Sequence, residues 1–316
     1  MSEKISRRDV LKLSGAVMAA SFVPACNPVE EPGSSEGKSG FRYCFNTSTI
    51  RGQGLSLVQE IEIAARAGFD AVEPWIREIS AHVDQGSALE ELRDRIADLG
   101  LTVESGIGFA QWIVDDDEAR AKGLEEAKRD MELLARIGGK RIAAPPAGAV
   151  RGPGLDLLKA AERYRALLDL GKEFGIVPQI EIWGFADNLN RLGEAALVAI
   201  ESGHPDACML PDIYHIHKGG SDFAGLKMFG AKAIQVFHIN DYPGEISRAE
   251  LADKHRVYPG DGAADLTTIL RDLHAVNPEM VLSLELFNES YWQQDAVVVA
   301  QTGLAKMKGA VEAALS

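Results

Sequence analysis

Gln179-Ile180-Glu181-Ile182-Trp183 and Ser283-Leu284-Glu285-Leu286-Phe287 are built on one plan. Successive side chains of a strand point to opposite faces, so Ile180, Ile182, Leu284 and Leu286 share one side of their strands and the two glutamates the other. The aliphatic face requires a layer of helices behind it. The carboxylate face requires an enclosed polar centre. Outward from these two segments, short β-branched runs alternate with longer helix-periodic ones from Phe41 to the end of the chain. Strands are expected at 42–47, 71–75, 102–106, 141–144, 178–183, 208–212, 234–240 and 281–287. Amphipathic helices are expected at 55–67, 88–99, 118–137 and 155–174, with a final helix at 295–314. Gly68, Gly100, Gly138 and Gly175 stand where left-handed helix caps are needed. Eight such units predict an α/β fold, a single-domain (β/α)8 TIM barrel over residues 41–316, rather than an open sheet.

In such a barrel the chemistry sits where strands end and βα loops begin. Glu181, Asp212 (in Leu210-Pro211-Asp212), His238 (in Val236-Phe237-His238-Ile239-Asn240) and Glu285 end the fifth to eighth expected strands. Each alone reads as a polar residue finishing its strand. Together they place three carboxylates and an imidazole at one mouth, where burial and mutual repulsion would protonate the acids unless a cation joined them. One divalent metal held by Glu181, Asp212, His238 and Glu285 resolves that conflict. Mn²⁺ is expected first, with Zn²⁺, Co²⁺ or Mg²⁺ as alternatives.

The run Asp253-Lys254-His255-Arg256-Val257-Tyr258-Pro259-Gly260-Asp261-Gly262 and the run Ser283–Trp292, together with the four strand ends, resemble the xylose isomerase-like TIM barrels. Within that superfamily of sugar phosphate isomerases and epimerases, the likeness leans to inosose isomerases and ketose 3-epimerases, and it spans the chain from Phe41 onward. The resemblance implies that Glu181 and Glu285 are catalytic, exchanging a proton on either side of the reacting carbon, while also holding the metal. It further implies that His215 and Arg256 contact substrate oxygens. The chemistry agrees: a metal on a carbonyl and its neighbouring hydroxyl acidifies the C–H between them and favours an enediolate. Arg256 adds a permanent cation near the developing oxyanion. Three carboxylates, a dication and one guanidinium bring such a site to neutrality.

Weaker signals surround this set. Trp75, Trp112, Trp183 and Trp292 are candidates to stack on sugar faces, Trp183 and Trp112 being taken as substrate-binding, although mouth aromatics also simply exclude water. Asp241 is placed to orient Arg256, and Glu73 reads as a hydrogen-bonding residue of the mouth rather than a catalyst. His217 and His255 read as surface residues. Cys44 and Cys208 fall on strands too far apart for a disulfide and read as small core residues.

The N-terminus is an address. Ser6-Arg7-Arg8-Asp9-Val10-Leu11-Lys12 resembles a twin-arginine export signal, and the apolar run 13–25 is too short for a stable membrane span. Val23-Pro24-Ala25-Cys26 resembles a lipoprotein processing box, which implies lipidation of Cys26. Residues 1–26 are thus expected to be a signal peptide and 27–40, rich in Pro, Gly, Ser and Glu, a flexible tether. The expected location is periplasmic, with membrane attachment only through signal or lipid. The chain has 316 residues, 46% of them hydrophobic, and a net charge of −14. Five basic and five acidic residues cancel within the first forty, so the barrel carries the whole negative charge and repels nucleic acid. A small sugar-like molecule is the expected partner, and a homo-oligomer is compatible with the fold.

The leading expectation is a divalent-metal-dependent isomerase or epimerase of a sugar or cyclitol. A lyase or dehydratase on keto-sugars such as 3-keto-glycosides would use the same metal and carboxylates but expel a leaving group. A non-catalytic exported sugar-binding lipoprotein is a reading of another class, and it leaves the opposed carboxylates without purpose. Apurinic endonucleases, which share the fold, carry more histidine ligands than this chain offers.

Overall fold

In a computed structural model the chain is described over residues 40–152 and 154–316. The expected signal segment with Cys26, and the expected tether up to residue 39, lie outside the described residues. Eight parallel strands form the centre: β1 Arg42–Asn46, β2 Ala71–Glu73, β3 Thr102–Val103, β4 Arg141–Ala144, β5 Val177–Glu181, β6 Met209–Leu210, β7 Val236–Ile239 and β8 Val281–Leu284. One run is ordered β3-β2-β1-β8-β7 and the other β4-β5-β6. Single parallel bridges, Gly106 to Ile142 and Met209 to Ile234, join the two runs into a closed ring. The TIM barrel read from the sequence is the observed fold.

The continuous ladders are shorter than the expected strands at their C-terminal ends. β2 stops at Glu73, yet Trp75 pairs with Ile107; β6 stops at Leu210, yet Asp212 pairs with His238. The chains part there to turn into loops, so isolated bridges continue the register up to the residues that line the mouth.

Helices cover the outside: α1 Leu57–Ala67, α2 Ile76–Asp84, α3 Leu89–Asp98, α4 Asp117–Arg136, α5 Leu157–Lys172, α6 Leu192–Glu201, α7 Ile213–Gly219, α8 Leu266–Val276 and α9 Ala296–Leu315. Ser56 opens α1 with a reciprocal capping box to Gln59, and Gly68 closes it at φ 92°. Where one helix was expected between the second and third strands there are two, and the additional one, α2, is a nine-residue helix that buries Ile76 and Ile79. α9 packs against both α1 and α8 and seals the ring where last strand meets first. No helix among the described residues is long and apolar enough to cross a membrane.

The core has two layers. Between sheet and helices lie Phe45, Ile61, Val72, Leu134, Ile180, Phe237 and Leu284, all fully buried or nearly so. Inside the ring a smaller set, Cys44, Ala71, Ala143, Leu210, Val236 and Val281, fills the axis beneath the mouth. These inner residues share strand faces with Glu73, Asp212, His238 and Ser283, two positions further on. Small apolar side chains thus form the dry bed on which the polar centre rests. Cys44 and Cys208 are free and buried. At the opposite end of the barrel Arg42, Lys140 and Arg141 converge on the buried carboxylate of Glu104.

Candidate active site

Glu181, His238 and Glu285 come together at the ends of β5, β7 and β8, with one ligand atom from each lying within 4.8 Å of the others. Each is buried to 4% exposure or less. Asp212 stands beside them, its Oδ2 3.8 Å from His238 Nδ1. That oxygen also accepts from Asn240 Nδ2 at 2.9 Å and from Arg256 Nη1 at 3.0 Å. Its Oδ1 caps α7 by accepting from the His215 backbone N–H at 2.8 Å. The four residues expected at this centre are therefore neighbours, with three in the tight group and Asp212 leaning towards Arg256.

The imidazole is oriented from behind. His238 Nε2 lies 2.9 Å from Glu73 Oε2, which also accepts from Asn46 Nδ2 at 2.9 Å and from Ser283 Oγ at 2.6 Å. Glu73 thus holds the far nitrogen and leaves Nδ1 facing the centre. Nδ1 is 3.2 Å from Glu285 Oε2 but makes no hydrogen bond of good geometry. Glu181 Oε2 is also buried with no partner among the described residues. Orphaned acceptors of this kind are rare and costly unless something binds them. An oxygen and a nitrogen of two different strands facing one point, with Glu285 beside them, is a donor set that suits a divalent ion.

The charges are uneven. Burial, and then the charge of Glu285, push the Glu181 carboxyl up to about 8. Burial also works against ionisation of Glu285, but His238 and Arg256 outweigh it and hold its carboxyl well below the usual range. Burial raises Asp212 against the pull of Arg256. His238 is raised well above an ordinary histidine, because Glu285 and Glu73 overcome the effect of burial. His215 goes the other way, lowered by burial and then by Arg256.

Arg256 is fully desolvated and extensively held. Nη1 reaches Glu285 Oε2 at 2.7 Å, Nη2 reaches Asp253 Oδ1 at 2.5 Å and His215 Nε2 at 3.0 Å, and the guanidinium lies over Tyr214 and Phe287. The Gly184 N–H points at the other nitrogen of His215, 3.2 Å away. A neutral imidazole offers one lone pair, so it cannot satisfy both donors at once. Asp241 does not touch this guanidinium side chain. Its carboxylate instead accepts the backbone N–H groups of Tyr242, Gly260, Gly262 and Ala264, tying down the loop that carries Arg256.

Above the centre opens a cavity of about 460 Å³, lined by Glu181, Glu285, His215 and Arg256 and walled by Trp75, Phe109, Trp183, Phe185, Phe287 and Trp292. Trp183 stands where a stacking residue was expected. Trp112 does not: it is 1% exposed, donates to the Pro145 carbonyl at 2.9 Å and packs on Tyr164 of α5. Its indole is consumed in the layer between strands and helices. His217, half-buried, stacks on Tyr242. Asn46 and Ser283 share their strands' inward parity, so alternation could have pointed to them. Phe109 and Phe185 sit in loops, where no periodicity marks a direction.

The closed parallel ring and the convergent acid–imidazole centre at its C-terminal mouth define a barrel of the kind that handles small polar molecules at strand ends. The chain belongs to the xylose isomerase-like TIM barrel family, whose profile matches residues 61–309. It is 25% identical over 264 residues to the inosose isomerase of Bacillus velezensis, covering 83% of this chain and 94% of that one. It is 27% identical over 205 residues to the 3-dehydro-D-guloside 4-epimerase of Escherichia coli, covering 60% of this chain and 73% of that one. Among solved structures, that of IOLI protein with a zinc atom superposes with a TM-score of 0.80 at 22% identity, over 87% of this chain and all of that one.

Proposed function

We propose that the protein is a divalent-metal-dependent isomerase or epimerase of a keto-sugar or cyclitol, with Glu181 and Glu285 moving the proton. The carrying observation is the buried trio of Glu181, His238 and Glu285, whose ligand atoms lie within 4.8 Å of one another at the floor of a ring-lined cavity. Glu181, Asp212, His238 and Glu285 would hold the ion; Mn²⁺ remains our first choice, and the zinc of the IOLI structure makes Zn²⁺ the main alternative. When bound, such an ion polarises a carbonyl and lowers the pKa of the adjacent C–H.

The chain's own residues supply the rest. Glu181 and Glu285 end strands three places apart in an eight-membered ring, so they approach a bound molecule from different sides. One takes the proton from carbon and the other returns it; return to the opposite face inverts the carbon, and return to the neighbouring carbon shifts the carbonyl. Arg256 and His215 face the same cavity, and Arg256 places its cation where negative charge develops on substrate oxygens. The names of the relatives in Bacillus velezensis and Escherichia coli, an isomerase and an epimerase, support proton transfer next to a carbonyl.

Incubation of the metal-loaded protein with an inosose, a ketohexose and a 3-keto-glycoside in D₂O tests this. Deuterium should enter one of them next to the carbonyl, and Glu181→Gln and Glu285→Gln should each slow that exchange by roughly 10²–10⁴-fold while the metal stays bound. Absence of exchange at full metal occupancy overturns the assignment. Residues 1–26 are proposed, in addition, as a twin-arginine signal with lipidation at Cys26, supported by Arg7-Arg8 and by Ala25-Cys26. Export of a folded reporter fused to residues 1–40 should stop with Arg7→Lys and Arg8→Lys, and a lipid mass should vanish with Cys26→Ala.

A further inference from the structure

The wall of the cavity is a continuous arc of rings. Phe287 meets Trp75 at 6.0 Å between centroids, Trp75 meets Phe109 at 5.2 Å, Phe109 meets Trp183 at 6.0 Å, and Trp183 stacks on Phe185 at 5.3 Å. These rings come from the loops after β8, β2, β3 and β5. The arc is anchored at Trp75, whose indole N–H donates to Asn46 Oδ1 at 2.9 Å. It is also graded in depth: Trp75 is 7% exposed, but Phe109 is 38% exposed while still lining the cavity.

A ring wall that served only to exclude water would close over itself. Phe109 instead touches a ring on each side and keeps its remaining face open to the cavity. The same cavity is also lined by polar groups, Asp253, Lys254 and Glu289. A ring wall that shares its cavity with hydroxyl-binding groups matches a molecule with flat C–H or π faces and a polar edge. The volume of about 460 Å³ lies within the range that buries ligands larger than a single hexose.

We infer that the outer half of this cavity, with Phe109 at its centre and Trp183 and Phe185 beside it, is a subsite for a second ring of the substrate. The substrate class is accordingly a glycoside, its reacting sugar on the floor with Glu181 and Glu285 and its attached ring, sugar or aryl, against the arc. The inference rests on the floor's being the reaction centre, as proposed above, but its test reads binding and needs no turnover.

Binding of methyl β-D-glucopyranoside, phenyl β-D-glucopyranoside and cellobiose to the metal-loaded protein is to be followed by tryptophan fluorescence, since Trp75 and Trp183 line the cavity. At least one ligand with a second ring should bind roughly tenfold more tightly than the methyl glycoside, the upper end of what one added ring contact contributes. A larger gain for cellobiose identifies the second ring as a sugar, and a larger gain for the phenyl glycoside as an aryl group. Phe109→Ala should erase the gain, bringing the two-ring ligand to the affinity that the same variant shows for the methyl glycoside, and Phe109→Tyr should restore it. Equal affinity for all three, no binding of any, or a gain that survives Phe109→Ala overturns the subsite. Deuterium exchange on a free keto-sugar without any second-ring gain leaves the proposed reaction standing and removes only the subsite.

Discussion

Replacing Glu73 by Gln is the most informative single perturbation of the centre, because it leaves every residue of the proposed ligand set in place yet should loosen the ion. Three donors converge on Glu73 Oε2: His238 Nε2, Asn46 Nδ2 and Ser283 Oγ, all within 2.9 Å and all buried. Gln keeps the shape and one acceptor oxygen but removes the charge that fixes the proton on Nε2. His238 can then turn, or carry its proton on Nδ1, and in either case the lone pair leaves the centre. Partners of metal-bound histidines are worth about 10–100-fold in metal affinity, or roughly 1.4–2.8 kcal/mol. Glu73→Gln should therefore weaken divalent-ion binding by that range, measured by competition with a calibrated chelator. Ser283→Ala removes one of three donors and should weaken it by only a few-fold. The carboxylate is also a buried ionic partner of His238, and breaking such a pair costs about 3–5 kcal/mol of stability. Melting curves recorded without added metal separate that loss from the change in affinity. If Glu73→Gln stays folded and binds metal within twofold of the parent, the argument that Glu73 sets the imidazole is refuted.

Metal binding should release a proton and tighten with pH. His238 has a raised pKa, as Glu285 and Glu73 outweigh burial, so it must lose a proton before Nδ1 can ligate; affinity should rise up to tenfold per pH unit below that pKa, and calorimetry in buffers of different ionisation enthalpy should detect the released proton. At the other end of the barrel, burial works against the Glu104 charge but Lys140, Thr102 and Arg42 outweigh it and lower its pKa. A depressed carboxylate stabilises above its unfolded pKa and loses that contribution as pH falls through the folded value, so Glu104→Gln should flatten the acid limb of a stability–pH curve. At neutral pH it should lower stability by about 1–3 kcal/mol in urea, less than for a fully buried network because Arg42 and Lys140 are partly exposed. A Cβ at Gly262 would lie 2.3 Å from Asp241 Oδ1, so Gly262→Ala should cost about 1–3 kcal/mol and slow turnover through the Arg256 loop; an unchanged melting temperature would contradict that.

Much of the fold could be read because the barrel repeats one rule eight times. The aliphatic faces of 178–183 and 281–287 fall where alternation places them, and glycine ends α1 at Gly68 and lies left-handed at Gly100, Gly138 and Gly175. The errors lie where the rule lapses. Strands β3 and β6 are two-residue ladders, since their remaining expected length turns into the mouth and survives only as single bridges. α2 and α7 are short, and α7 is read most easily from its cap, Asp212, a residue already claimed for the centre. One side chain both starts a helix and faces the site, so its two signals overlap.

At the centre, alternation gave direction but not partnership. It put Glu181 and Glu285 inward, the strand end supplied His238, and their meeting follows from the closure of the ring. It also put Glu73 inward, but nothing in Ala71-Val72-Glu73 tells that its carboxylate reaches across to β7 and β8, because that depends on how those strands are staggered. The two side chains read wrongly have separate causes. Trp112 was read as a mouth residue because it follows the third strand, yet past Phe109 the side chains of Trp112 and Ile113 are buried, and the indole donates to the Pro145 carbonyl. Asp241 was paired with Arg256 on charge alone. In the folded loop four backbone N–H groups surround it, and a carboxylate so supplied with fixed donors has no need of a mobile guanidinium. Arg256 is left to Asp212, Asp253 and Glu285, the carboxylates that have fewer backbone donors, and Asp212 and Glu285 bring it against the floor of the cavity while Asp253 holds it to its own loop.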